Sequence, residues 1–439
     1  MGEQKRIQCL GMLGDRGINM KKVLLRGPIL TQSGYGEHAR FLWRSLKKFP
    51  QHYEVYVEPL TWGQTSWMWE DTEERQQIDE DIAKCMVYRR NQGHFDVAFL
   101  VTIPNEWERI APVTIGVTAG IETTKVSPQW LYKANTTVDK IIVPSTFSKE
   151  VFEKTRYPVQ DEKTSQNTVL KLAVPIEVVH YPVKEFSEVE LGVELESDFN
   201  FLCVAQWGPR KNINNTIKWF LKEFKDDDVG LVLKTSKARN CVIDRMLIQK
   251  EIREVIEEMD IKDRKCKIYL LHGYMNNDEI HSLYVHPKIK AIVNFGHGEG
   301  FGLPLFEAAY CEMPVITHEF GGQKDFLFAP KNNKKGGEKL RPFFSNVVYE
   351  TRPVHKEAVW DTVVQADSEW AYVNEQGAKM AMREAYENYS LHKGKAKKLK
   401  KWILNNFKSD EQHKQMVESA GIHQEIDEEI ETLFNELEL

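Results

Sequence analysis

The chain has 439 residues, of which 41% are hydrophobic and 28% charged, with a formal net charge of −6. That length exceeds one ordinary core and points to two or three domains, and the composition excludes a disordered chain. The negative balance argues against a protein that coats nucleic acid, and no apolar stretch approaches the roughly 18 residues of a membrane span.

The 6 cysteines are scattered, with no C-x-x-C pair and no histidines at zinc spacing, so reduced thiols and a cytoplasmic protein are expected. The N-terminal MGEQKRIQCLGMLGDRGIN has charges and glycines where a signal peptide needs an apolar run, and it reads as an appendage. The first half then alternates short apolar runs with helical stretches, as a parallel α/β sheet does. Strands are predicted at Val23 to Leu25, Tyr53 to Val57, Val97 to Val101, Thr114 to Val117, Lys140 to Val143 and Val178 to Pro182. A helix is expected through Ala39 to Leu46, another opens at Ser145, and the polar stretch from Tyr157 to Val169 reads as a loop insertion.

A Glu-rich linker, Ser187 to Asp198, precedes a second series. Its strands are Phe201 to Val204, Leu231 to Leu233, Ile268 to Leu271, Ala291 to Val293 and Pro314 to Ile316. Helices are expected at Asn215 to Phe224, Ile243 to Met259 and Pro304 to Tyr310. Lys331 to Lys339 reads as a mobile loop, and the chain from about Ser368 onward as helical. The expected division is a domain over 20–186, a second over 196–380, and helices over 381–439 that can cross back to the first.

The strongest chemical signal is Gly298-Glu299-Gly300-Phe301-Gly302-Leu303-Pro304-Leu305-Phe306-Glu307, between a strand and a helix. Pro304 suits a first helical turn, and the glycines let backbone amides approach a ligand closely. Amides at a helix N-terminus, with the helix dipole, suit a diphosphate. Glu307, in the first turn, could accept both hydroxyls of a ribose, and Glu299 stands where a sugar would sit. The plain alternative is a glycine-rich turn with a helix-capping glutamate.

The segment resembles the E-x7-E motif of glycosyltransferase family 4, whose members are retaining enzymes of the GT-B fold. The resemblance runs from about Lys22 to Phe407. It implies an α/β chain of two Rossmann-like domains facing across a cleft, with a C-terminal helical tail. Glu307 would hold the donor ribose and Glu299 the transferred sugar, with Gly300, Phe301, Gly302 and Leu303 against the diphosphate or sugar. A second turn, Gln206-Trp207-Gly208-Pro209-Arg210-Lys211, presents Arg210 and Lys211 after a strand. Cations are needed there because no base removes the charge of a leaving diphosphate. Lys211 matches the family's lysine, whereas Gln206 stands where the family has an arginine, so Arg210 is the candidate replacement.

A glycine-rich loop, Gly27 to His38, resembles the family's N-terminal loop, and Gly34 and Gly36 would let it approach donor phosphate. Glu122 is the candidate acceptor-side contact, and Val143-Pro144-Ser145 matches the family's strand end, with Ser145 a helix cap. Lys234, Tyr274, Asn294 and His297 rank second. Asp226-Asp227-Asp228 reads as an exposed turn rather than a metal motif, and Lys393 to Lys401 as a solvated helix face. Trp62, Trp67 and Trp69 could stack on sugar rings or pack under a loop.

The reaction so implied is retaining, metal-independent glycosyl transfer from a nucleotide sugar, UDP- or GDP-linked, to a hydroxyl of a saccharide or glycoconjugate. No metal and no separate cofactor are expected. Retention follows from the resemblance alone. The alternatives are transfer to a modified nucleobase in DNA, which the acidic charge does not favour, and a non-catalytic sugar-nucleotide-binding protein, which Gln206 favours. An epimerase or a phosphorylase can share the fold, but the sequence lacks a pyridoxal-binding lysine context. Oligomeric state is left open.

Overall fold

The computed structural model describes residues 20–160, 167–332 and 338–421. The first sheet contains β1 (Lys21–Gly27), β2 (Tyr53–Pro59), β3 (Val97–Val101), β4 (Val113–Val117), β5 (Lys140–Val143) and β6 (Ile176–Val178). All neighbouring pairs are parallel, in the order β2-β1-β3-β4-β5-β6. β3 is buried at every residue, which is why it reads as an unbroken apolar run: a parallel sheet is covered on both faces.

The second sheet contains β7 (Asn200–Gln206), β8 (Gly230–Ser236), β9 (Lys267–Leu271), β10 (Ile289–Asn294), β11 (Val315–Thr317) and β12 (Ser345–Asn346). Its order is β9-β8-β7-β10-β11-β12, again parallel. The helices that bear on the cleft are α1 (Gly34–Lys47), α2 (Asn277–Val285) and α3 (Leu303–Tyr310). In such sheets a crevice opens where the strand order reverses, outside the strand C-termini. The reversals lie between β1 and β3 in the first sheet and between β7 and β10 in the second. This is a two-domain GT-B fold.

The domains share apolar packing. A chain of aromatic contacts runs Tyr181–Phe301, Phe301–Phe306 and Phe306–Phe407, each with centroids 5.2 Å apart. Helix Glu375–Glu387 packs on helix Ile213–Phe224 and the edge strand β12, and helix Tyr389–Asn406 packs on α3. The chain then returns, and α4 (Ser409–Ser419) packs on α1. There Ser45 Oγ meets His413 Nδ1 at 2.8 Å, and Met416 and Val417 are fully buried.

Four expectations need correction. The last strand of the first sheet is Ile176–Val178, because Val183 N–H donates to Phe407 O at 2.9 Å and the chain there leaves the sheet for the tail. The stretch expected as a loop at 157–169 contains an antiparallel pair, Tyr157–Gln160 with Asn167–Leu170, anchored by Tyr157 Oη donating to Val126 O at 2.7 Å. The expected mobile loop at 331–339 begins and ends in a pair, Phe328–Asn332 with Glu338–Pro342, and its 333–337 portion lies outside the described residues. The region after Ser368 opens with a strand, Glu369–Val373, paired with Tyr349–Pro353. The chain between these two, 354–368, crosses onto the first domain as a strap.

Met416 fills the α4–α1 junction, so Met416→Ala should cost about 2–3 kcal/mol through lost burial and a residual cavity. A urea titration should show the lower midpoint, while a substitution at exposed Lys414 leaves it unchanged.

Candidate active site

A cleft of ≈ 1660 Å³ lies between the sheets and takes its walls from both domains. On the second domain β10 ends at Asn294, and a loop leads to α3. Gly302 adopts φ 93° at the helix N-cap, a left-handed conformation that glycine accepts without strain. Pro304 sits in the first turn, and buried Leu305 and Phe306 pin the helix to the core. Gly300 has a reason the sequence did not expose: a Cβ there would come within 2.6 Å of Ala119 O on the first domain. Its carbonyl accepts Ser145 Oγ at 2.5 Å, while Ser145 also caps the helix Thr146–Lys154. The glycine loop is thus fitted to the opposite domain.

The second wall element follows β7. Pro209–Lys211 forms one 3-10 turn, and Asn212 reverses the chain with φ 53°. Lys211 Nζ lies 2.5 Å from Glu299 Oε1, and Arg210 Nη1 lies 3.5 Å from Glu299 Oε2. Arg210 also reaches Glu122 Oε1 of the first domain at 3.1 Å and donates to Gly298 O at 2.7 Å. Asn294 Nδ2 adds a hydrogen bond to Glu299 at 2.9 Å. Burial pushes the Glu299 carboxyl up, but Lys211 and Arg210 outweigh it and hold the group at about 2. The Lys211 amine is lowered, because burial and Arg210 outweigh Glu299. The two carboxylates and two cations form a formally neutral set.

Glu307, expected in the first turn, is the fifth residue of α3, which begins at Leu303. It still lines the cleft, and Tyr284 Oη of α2 donates to its Oε2 at 3.2 Å. Lys234, at the end of β8, donates to Gly273 O, and burial lowers its amine to about 8. Tyr274 lines the same wall, its phenol raised to about 12 by burial and then by Glu70. On the first domain the loop after β1 is held by Arg40 Nη1, which donates to Ile29 O at 2.7 Å and Thr31 O at 3.0 Å.

The cleft brings together Glu122, Arg210, Lys211, Lys234, Tyr274, Glu299 and Glu307, with Gly34, Gly300, Phe301, Gly302 and Leu303. It does not bring in Gly36 or Asn294. Gly36 is buried in the turn, its N–H bonded to Ser33 Oγ at 3.0 Å, and Asn294 works from behind as a partner of Glu299. His297 also points away, with Nδ1 2.7 Å from Ala371 O. Asp227 pairs with Arg383 at 2.8 Å, outside the cleft. Trp62 lines the cleft and packs on Tyr35 at 4.2 Å, whereas Trp67 and Trp69 are exposed. Sequence reasoning missed Tyr284, which reads as an ordinary apolar helix position, and Tyr35, whose hydroxyl meets Thr118 Oγ1 at 2.7 Å.

Residues 191–334, which carry Arg210, Lys211, Glu299 and Glu307, match the family described as Glycosyl transferases group 1. No curated protein matches the sequence. Among solved structures the chain is similar to sucrose-phosphate synthase from Thermosynechococcus elongatus, with 12% identity and a TM-score of 0.57 over 91% of this chain and 98% of that one. It is similar to a glycosyltransferase from Rickettsia africae ESF-5, with 13% identity and a TM-score of 0.55 over 92% and 99%. The Anabaena protein HepE, solved with UDP-glucose, has 13% identity and a TM-score of 0.54 over 91% and 99%. At these identities the likeness is one of fold. No helix among the described residues is long and apolar enough to cross a membrane.

Removing one carboxylate from the charge set leaves a buried cation without its partner. Glu299→Gln should therefore lower stability by about 3 kcal/mol. Scanning calorimetry should show the loss, and pyrophosphate, which can neutralise Arg210 and Lys211, should restore part of it.

Proposed function

We propose that the chain is a retaining glycosyltransferase that moves a glycosyl group from a UDP- or GDP-sugar to a hydroxyl of a saccharide or glycoconjugate. One observation carries the reading. Glu299 and Glu307 flank a helix N-terminus at the strand-order reversal, and Arg210 and Lys211 stand beside Glu299 at the end of the adjacent strand. That is a diphosphate cradle with a ribose ligand on one side and a sugar ligand on the other.

In this reading the donor diphosphate takes over Arg210 and Lys211, which frees Glu299 to accept hydrogen bonds from the sugar's hydroxyls. Glu307, oriented by Tyr284, holds the ribose. As the glycosidic bond to phosphate breaks, negative charge grows on the leaving oxygen, and the two cations stabilise it in a site shielded from water. The departing phosphate oxygen takes the acceptor's proton on the same face, so the configuration is retained. The chemistry asks for no metal and no separate cofactor, since the cations are supplied by side chains.

A non-catalytic sugar-nucleotide-binding protein is the second reading. Gln206 favours it: the side chain donates to Lys237 O at 2.6 Å and adds no charge to the cradle.

Thermal shift with UDP-, GDP-, ADP- and TDP-glucose distinguishes these readings from no donor site at all. One nucleotide class should stabilise the wild type, and Glu307→Ala and Lys211→Ala should abolish the shift. No shift with any of the four would overturn the donor site. Turnover of the stabilising donor then separates the enzyme from the binding protein.

The Lys234 amine gives a pH test. Burial lowers its pKa in the folded chain to about 8, so the charged, donating form is lost as pH rises through that value. Nucleotide affinity measured by calorimetry should fall across that range, and Lys234→Met should flatten the profile.

A further inference from the structure

The first domain reaches the donor wall through the stretch that follows β2. Beyond Pro59 the chain folds back over the loop after β1. Gln32 N–H donates to Ser66 O at 2.8 Å, Met68 N–H donates to Leu30 O at 2.7 Å, and Thr31 bridges Trp67. An extended backbone sends alternate side chains to opposite sides. Ser66, Met68 and Glu70 accordingly line the cleft, while Trp67 and Trp69 are exposed.

This stretch meets the second domain at two strand ends. After β8, Asn240 N–H donates to Ser66 Oγ at 3.1 Å, Arg239 Nε donates to Gln64 O at 3.4 Å, and Asn240 Nδ2 donates to Gln32 Oε1. The turn that makes these contacts is braced from behind. Asp244 accepts the N–H groups of Lys237 at 3.0 Å, Ala238 at 2.8 Å and Arg239 at 3.0 Å, and meets His272 Nε2 at 2.8 Å. After β9, the Tyr274 phenol donates to the Glu70 carboxylate. Lys234 and Tyr274 therefore line a chamber whose outer wall comes from the first domain.

The donor reading says what occupies that chamber. With the diphosphate on the β7 and β10 side and the ribose at Glu307, the base on the far side of the ribose lies toward β8 and β9. The turn that carries Tyr274 leads directly into α2, the helix whose Tyr284 bonds Glu307. A carboxylate accepts hydrogen bonds and donates none. Guanine offers it two adjacent donors, N1–H and the 2-amino group, so both carboxylate oxygens can be used. Uracil offers a single N–H between two carbonyl oxygens, which a carboxylate repels. The Lys234 amine supplies a donor to the same chamber, suited to the guanine O6.

We propose that Glu70, supplied by the first domain, reads the donor's base across the cleft and selects guanine, so that the donor is a GDP-sugar. The proposal rests on the nucleotide-sugar reading of the adjacent cradle. Tyr274 keeps Glu70 turned toward the second domain, and the Asn240 contacts hold the stretch in place. Nucleotide choice is thereby shared between the domains rather than left to the second alone.

The test measures binding of GDP, IDP and UDP to the full chain by isothermal titration calorimetry. IDP differs from GDP only in lacking the 2-amino group. The wild type should bind GDP about tenfold tighter than UDP and about fivefold tighter than IDP. Glu70→Gln, at a half-buried position, should weaken GDP about tenfold, bring GDP and IDP within about twofold of each other, and not weaken UDP. A Glu70 that only shaped the wall would instead weaken all three alike. The base reading is overturned if the wild type binds UDP as tightly as GDP, or if the variant keeps the wild-type ratio of GDP to IDP. If none of the three binds the wild type, the donor cradle fails and the base reading falls with it. Binding of all three without preference leaves the cradle standing and removes Glu70 alone, so the two failures are separable.

Discussion

Two cations on the turn after β7 meet one carboxylate from each domain at the second sheet's strand-order reversal, and the walls of the cleft are arranged around that meeting. Buried charge is costly unless it is compensated, and here Arg210, Lys211, Glu299 and Glu122 compensate one another across the domain boundary. The neutral set lets Glu299 and Lys211 sit largely out of water while Arg210 and Glu122 stay partly exposed at the cleft. It also means that any anion brought to Arg210 or Lys211 competes with Glu299 and Glu122 for the same cations.

Holding that network requires the domains to stay in register, and three separate features do so. The aromatic chain from Tyr181 through Phe301 and Phe306 to Phe407 supplies apolar area under the glycine loop. The returning tail packs α4 on α1. The strap clamps the opposite side through Thr124, Lys125 and Thr362. Each is built from segments far apart in the chain. Together they place Gly300 so close to Ala119 that a side chain would not fit, which ties the glycine loop's sequence to the position of the other domain.

Much of the α/β pattern was readable because a strand covered on both faces needs a continuous apolar run, as in Val97 to Val101, and a helix start needs its Pro and caps, as at Gly302 and Pro304. The motif residues Glu299, Glu307 and Lys211 were readable because their spacing is fixed by a local strand, turn and helix. Less local features were not. The antiparallel pairs at 157–170 and 328–342 are short and mix apolar with polar residues at mostly exposed positions, so they lack the periodicity that marks a buried strand. Gly36 and Asn294 look like ligand contacts in the sequence, yet one faces its own turn and the other backs Glu299.

The sequence by itself determined the class of the fold, the two strand series and the strand-turn-helix build of the glutamate loop, because these depend on neighbours within about ten residues. Only the tertiary structure decided which charges meet. That Arg210 bridges Glu122 and Glu299, that Tyr284 orients Glu307, and that residues 354–368 cross to the first domain all join positions separated by long stretches of chain. Such contacts are set by how two sheets face each other, and no local period in the sequence encodes that geometry.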